Sequence, residues 1–217
     1  MKGYENLSEE IIASCLRLKK SGLLLGTWGN VSVRLPDGNI LITPSRVAYE
    51  EMTADDMVVL SPGGEVLSGH RLPTSEREIH RGILNARADV GAVVHTHSPK
   101  AMAVCAREGG VPVISEEMCQ VVGGEIPLTE KFVPSHDHVG LGKIAVSALT
   151  EANALLIRNH GPVCMGRTLA DAELCCFVVE KSCGIYLDVL AAGQFNRVPE
   201  QYVRAGRDYY LNQYGKT

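Results

Sequence analysis

The 217-residue chain predicts an α/β fold in one domain, residues 1–217. Short apolar runs such as Gly91-Ala92-Val93-Val94 and Ala154-Leu155-Leu156-Ile157 alternate with longer stretches whose apolar residues recur at helical spacing. No repeat, low-complexity tract or linker interrupts that alternation, and the length suits one buried core.

Ser8 is placed to cap a first helix over 9–20, with Ile11, Ile12, Cys15, Leu16 and Leu18 near helical spacing and Gly22 as its C-terminal cap. Gly26-Thr27-Trp28-Gly29-Asn30 follows, where two glycines suit either an ordinary turn or the close approach of a ligand. A strand over 31–35, a turn at Pro36-Asp37-Gly38-Asn39 and a return strand over 40–42 form a hairpin. Hydroxyls gather at its end, in Thr43-Pro44-Ser45. A second hairpin joins 56–60 to 65–67, so the first third reads as short, largely antiparallel strands.

A helix lasting to about residue 86 opens near Thr74-Ser75-Glu76. Ser75 with Glu78 has the capping-box pattern, while the free N–H groups of a helix start also favour phosphate. Thr74 and Ser75 therefore read as caps, anion ligands or both. Residues 98–105 read as a helix with Pro99 early. Residues 111–114 read as a strand, 115–120 as a polar connection carrying Glu116 and Glu117, and 127–134 as an extended segment. His136 and His138 precede a helix over 139–150 and read as caps or solvent-facing groups, not ligands. A strand over 154–158 ends in Asn159-His160-Gly161-Pro162 and pairs with 163–165. The long helix over 169–190 carries an apolar stripe through Cys175, Val178, Val179 and Ser182, continued by Ile185, Tyr186 and Val189. A last helix covers 200–214.

Strand side chains alternate faces, so His95 and His97 point the same way with Thr96 opposite. His160 also sits at a strand end, and Glu76 adds a carboxylate from a helix start. A single buried histidine is more simply a core residue, but three imidazoles and a carboxylate are the donors zinc favours. Manganese and cobalt remain alternatives. His80, one turn beyond Glu76, suits packing or support better than ligation.

The net charge of −4 carries no nucleic-acid footprint. No run approaches the roughly 18 apolar residues that cross a bilayer, and Met1-Lys2-Gly3-Tyr4 begins no apolar leader. Seven cysteines are an odd number within mostly apolar segments, which suits reduced core thiols and a cytoplasmic protein.

The ordered motifs Gly26-Thr27-Trp28-Gly29-Asn30-Val31-Ser32, Thr43-Pro44, Thr74-Ser75-Glu76, His95-Thr96-His97-Ser98 and Asn159-His160-Gly161 resemble those of the class II aldolase/adducin family. The resemblance spans nearly the full chain. It implies a three-layer α/β/α fold around a central, mainly antiparallel sheet. It implies Zn2+ on His95, His97 and His160, with Glu76 both a resting ligand and the carrier of the substrate proton. Gly29, Asn30, Ser45, Thr74 and Ser75 match a substrate-phosphate pocket. Members form a homotetramer with four-fold symmetry, each active site completed by a neighbour, and Tyr214 matches a catalytic C-terminal tyrosine that closes the site.

Glu at position 76 favours the aldolases over the similar pentulose-phosphate 4-epimerases, which carry Asp, and the sugar-acid phosphate decarboxylases, which carry Lys. Adducin-like interaction domains have lost the ligands. The implied activity is zinc-dependent cleavage of a phosphorylated sugar, a ketose 1-phosphate, to dihydroxyacetone phosphate and a small aldehyde. The alternatives are an epimerase or decarboxylase on the same site, or a non-catalytic adducin-like interaction domain. Two positions depart from the family pattern. Arg46 stands where Gly usually follows the pocket hydroxyl, either adding charge toward phosphate or pointing to solvent. Glu116 and Glu117 stand near where an interfacial tyrosine is expected, which leaves the second proton-transfer group open.

Overall fold

In the computed structural model, which describes residues 3–215, one seven-stranded sheet runs between two layers of helices. The strands are β1 (Asn30–Arg34), β2 (Ile40–Ile42), β3 (Val58–Leu60), β4 (Val66–Ser68), β5 (Ala92–His95), β6 (Ala154–Ile157) and β7 (Gly161–Gly166). They lie in the order β4-β3-β2-β1-β5-β7-β6, and every neighbouring pair is antiparallel. The helices are α1 (Glu5–Lys20), α2 (Arg77–Ala86), α3 (Pro99–Cys105), α4 (His138–Ser147), α5 (Leu169–Ala192) and α6 (Glu200–Asn212).

Alternate strand residues divide between two apolar clusters, which is why the central runs are apolar throughout. Ala154, Leu156 and Val94 join Ile11, Val104 and Val179 from α1, α3 and α5. Leu155, Ile157 and Val93 join Ile79, Ile83 and Leu141 from α2 and α4. The three-layer α/β/α arrangement implied by the family resemblance is the one present. No helix among the described residues is long and apolar enough to cross a membrane.

Local expectations are corrected in three places. The first helix starts at Glu5, so Ser8 lies inside it, buried and with an unpartnered hydroxyl, instead of capping it. Gly22 does end that helix: at φ +77 it lets its own N–H reach Lys19 O and Leu23 N–H reach Leu18 O, each at 3.0 Å. Residues 111–114 form no strand. Val111 and Ile126 exchange two backbone bonds of 2.9 Å, but the pairing goes no further, and Val113 O accepts instead from Val198 N–H at 2.9 Å. The polar connection becomes a widened helical turn over Met118–Val122, ended by Gly123 at φ +85.

Leu155 is fully buried between neighbouring strand β7 and the α2/α4 layer. Leu155→Ala is expected to cost about 2–5 kcal/mol through the lost contacts and the cavity left behind. The urea midpoint of unfolding reads this directly.

Candidate metal centre and active site

Strand β5 sits between β1 and β7, with His95 opposite Asn30 on one side and Val163 on the other. Thr96 N–H reaches Pro162 O at 3.2 Å, so the chain stays extended past the strand end and His97 returns to the face of His95. His160 comes from the tight β6–β7 turn, where Asn159 adopts φ +55 and His160 N–H reaches Ile157 O at 3.0 Å. Glu76 arrives from the other layer, as the residue that leads into α2. Its approach is tied to the end of β2: Ser45 N–H bonds Leu72 O at 2.9 Å and Thr74 N–H bonds Thr43 O at 3.1 Å. The Thr74 hydroxyl accepts from Glu76 N–H at 3.3 Å.

These elements bring Glu76, His95, His97 and His160 together, with one ligand atom from each within 4.8 Å of the others. His160 Nε2 lies 2.8 Å from Glu76 Oε1, and His95 Nε2 lies 3.4 Å from Oε2. The Nε2 atoms of His95 and His97 are 3.1 Å apart. His95 Nδ1–H donates to Pro162 O at 2.9 Å, which turns its Nε2 lone pair toward the cluster. Asn30 Nδ2 donates to Glu76 Oε2 at 2.8 Å.

Burial by itself pushes the Glu76 carboxyl up, but the positive charge that His95 or His160 carries when protonated, together with the His160 and Asn30 hydrogen bonds, outweighs it and lowers the group well below the usual carboxylate range. Burial depresses His95 to about 3, against the pull of Glu76, and also lowers His97. Lowered His95 and His97 rings beside a carboxylate favour the proton-free donors that a divalent cation binds, and the donor set fits zinc.

The cluster opens into a cavity of about 550 Å³ walled by Gly29, Asn30, Ser45, Thr74, Ser75 and Arg46. The expected phosphate-pocket residues therefore share one space with the metal cluster. Gly29 adopts φ +103, and a side chain there would meet His95 O at 2.8 Å. Tyr49 OH donates to Gly29 O at 2.8 Å and fixes this loop from below. Trp28, 61% exposed, lies nearly parallel to the His97 ring at 6.3 Å. Arg46 stands exposed at the rim with φ +61, without a hydrogen bond or ion pair among the described residues.

Some assignments change. Ser75 and Glu78 form no capping box; Glu78 pairs with Arg81 at 2.6 Å instead, and Ser75 lines the cavity. His136 and His138 stay outside the ligand cluster, yet both line the cavity with Ser135. The cap of α4 is Asp137, which accepts from Gly140 N–H at 2.8 Å, and His138 Nδ1 is buried without a partner. A second H-x-H beside a helix start was the signal for this wall. Tyr214 is absent from the cavity of its own chain; it packs on Tyr209 and Tyr210 and is 60% exposed. Glu116 and Glu117 do not line it either, and Glu117 pairs with Lys181 at 2.6 Å.

Residues 9–187 match the family described as Class II Aldolase and Adducin N-terminal domain, and the chain belongs to that family. Among curated relatives, the L-ribulose-5-phosphate 4-epimerase UlaF of Salmonella paratyphi B is 32% identical over 187 residues, 82% of each chain. A solved L-fuculose 1-phosphate aldolase is similar with a TM-score of 0.89 at 26% identity, over 95% of this chain and 96% of that one. The L-fuculose-1-phosphate aldolase of Thermus thermophilus gives a TM-score of 0.73 at 25% identity, over 90% and 100%.

The buried rings give a pH dependence. His95 and His80 fall from 6.5 to about 3 in the native state, chiefly through burial. Between those values the unfolded chain binds protons that the native chain refuses. Stability of the metal-free protein is thus complete above about pH 6.5 and lost toward pH 3, by up to about 1.4 kcal/mol per pH unit for each ring. Urea midpoints of metal-stripped protein are expected to stay nearly level from about pH 7.5 to pH 6.5 and to fall from there to pH 5, and a flat profile throughout would contradict the depressed pKa of these rings.

Proposed function

We propose that these 217 residues form one domain of a zinc-dependent aldolase that cleaves L-fuculose 1-phosphate, or a related deoxy-ketose 1-phosphate, to dihydroxyacetone phosphate and a small aldehyde. The observation that carries this reading is the Glu76 carboxylate, held by Asn30 at 2.8 Å and in reach of His160 and His95. It is placed to complete a resting ligand set and to work on substrate. Zinc on His95, His97 and His160, or manganese or cobalt on the same donors, supplies a Lewis acid for the charge that develops at the C2 and C3 oxygens.

Breaking the C3–C4 bond requires a base for the C4 hydroxyl proton and an acid that delivers a proton to C3. The three histidines and Glu76 would hold the ion at rest, and Glu76 would be the member that gives way when substrate binds. Its affinity for a proton would then rise, so it would take one up from the solvent-open cavity and deliver it to C3 in cleavage, and would remove the C3 proton in condensation. Ser45, Thr74 and Ser75 offer hydroxyls to the phosphate, Gly29 offers close backbone approach, and Arg46 adds positive charge at the rim. Asn30 borders this pocket with its amide committed to Glu76.

His136 and His138, already on the cavity wall, suit the C4 hydroxyl proton better than Glu116 or Glu117. Tyr214, exposed and outside its own cavity, is assigned to a neighbour's site in a four-fold homotetramer. The buried, unpaired cysteines suit the reducing cytoplasm.

The second reading, an epimerase acting at C4 of a pentulose 5-phosphate, is favoured by the 32% identity to UlaF. A screen of ketose 1-phosphates, coupled to detection of dihydroxyacetone phosphate with metal content measured on the same sample, separates the two. Conversion of L-ribulose 5-phosphate to its epimer without release of triose phosphate would select the epimerase. Glu76→Gln is expected to retain most of the metal and to slow proton exchange on dihydroxyacetone phosphate at least about 100-fold. Exchange at the wild-type rate would remove Glu76 from the mechanism.

A further inference from the structure

Beneath the ligand cluster lies a second polar group, set back from the metal ligands. Ser32 on β1 and His80 on α2 are fully buried, and both face Asn30. Ser32 Oγ lies 2.7 Å from His80 Nδ1, His80 Nε2 lies 2.5 Å from Asn30 Oδ1, and Asn30 Nδ2 lies 2.8 Å from Glu76 Oε2. We propose that Ser32, His80 and Asn30 are a one-way hydrogen-bond relay that anchors Glu76 by Oε2, leaving Oε1 as the oxygen that moves the proton. The proposal rests on the reading of Glu76 as proton carrier.

The direction follows from donor and acceptor chemistry alone. An ionised carboxylate only accepts, so Asn30 presents its NH2 to Glu76 and its carbonyl oxygen to His80. A carbonyl oxygen also only accepts, so His80 Nε2 carries the proton. Burial keeps that ring neutral, which leaves Nδ1 as a lone pair, and the Ser32 hydroxyl must donate to it. Every donor in the chain thus points toward Glu76, and none brings a charge of its own.

The two carboxylate oxygens are thereby distinguished. Oε2 takes the Asn30 amide at 2.8 Å and stands 3.4 Å from His95 Nε2, whereas Oε1 has no such amide and faces His160 at 2.8 Å. The Asn30 bond belongs to no ligand, so it persists when Glu76 leaves the cluster. The carboxylate then pivots about Oε2 over a short arc instead of swinging into solvent. His80 is a positioning residue in this account: it fixes which way the Asn30 amide faces, and through it where Oε1 can travel.

The test compares His80→Leu, which removes both bonds, with His80→Gln, whose amide can donate to Asn30. Three quantities are read on metal-loaded protein: exchange of the C3 proton of dihydroxyacetone phosphate, the Michaelis constant for that compound, and metal affinity by chelator competition. The leucine variant is expected to lose about 10- to 100-fold in exchange rate, the range typical for residues that orient ligands, with the Michaelis constant within about twofold. Glutamine is expected to restore most of the loss. Nitrogen-15 NMR of the metal-free wild type should show the His80 proton on Nε2.

Wild-type exchange in a folded, metal-loaded leucine variant would overturn the relay, as would equal losses in both variants or a proton on Nδ1. If the wild type exchanges nothing on dihydroxyacetone phosphate, the aldolase reading fails separately. The tautomer and the metal affinity of the leucine variant still decide the relay in that case. Should that variant not fold, the wild-type tautomer decides alone.

Discussion

The register of β5 between β1 and β7 is the constraint on which the whole site depends. Side chains on a strand repeat every two residues, so a slip of one position would turn His95 and His97 into the opposite helical layer. Hydrophobic patterning does not prevent that slip, because Val93 and Val94 are buried equally on the two faces. The glycine before the strand does more. Gly91 N–H bonds Gly166 O at 2.8 Å, and a side chain at position 91 would collide with the backbone oxygen of Arg167. Only a residue without Cβ fits this crossing, and with Gly91 seated there His95 falls opposite Asn30.

How far the molecule is legible in its sequence depends on whether the signal is local. The histidine pair could be read because strand alternation is a property of the backbone, and His160 could be read because it occupies an equivalent strand end. The capping box at Ser75 failed because a nearer ion pair with Arg81 holds Glu78. The strand expected at 111–114 failed because the pairing stops at Val111, and Val113 O is taken by Val198, a residue far away in sequence. The wall made by His136 and His138 is a different case. The H-x-H pattern marks the two residues, but that α4 packs beside α2, at the cavity of Glu76, is a long-range fact the local sequence does not carry.

The site also separates residues that carry charge from residues that hold geometry. Glu76 is the ionised member of the ligand cluster, and its anionic form is maintained by surrounding donors despite burial. His95, by contrast, is kept neutral by burial and oriented by a peptide carbonyl. Two opposite outcomes of burial therefore coexist within a few ångströms, decided by which partners each group finds. The wall is mostly polar, with Trp28 and Pro44 its apolar members. One chain by itself thus presents little apolar surface to whatever occupies this cavity.

Arg46 shows what this arrangement demands of the chain. Its backbone occupies the left-handed region at φ +61, a conformation that costs a residue with a side chain about 1 kcal/mol or more relative to glycine. Glycine at this position would relax the loop and, among the described residues, remove the arginine charge from the cavity rim. Ease of folding and attraction of an anion therefore oppose each other at a single position.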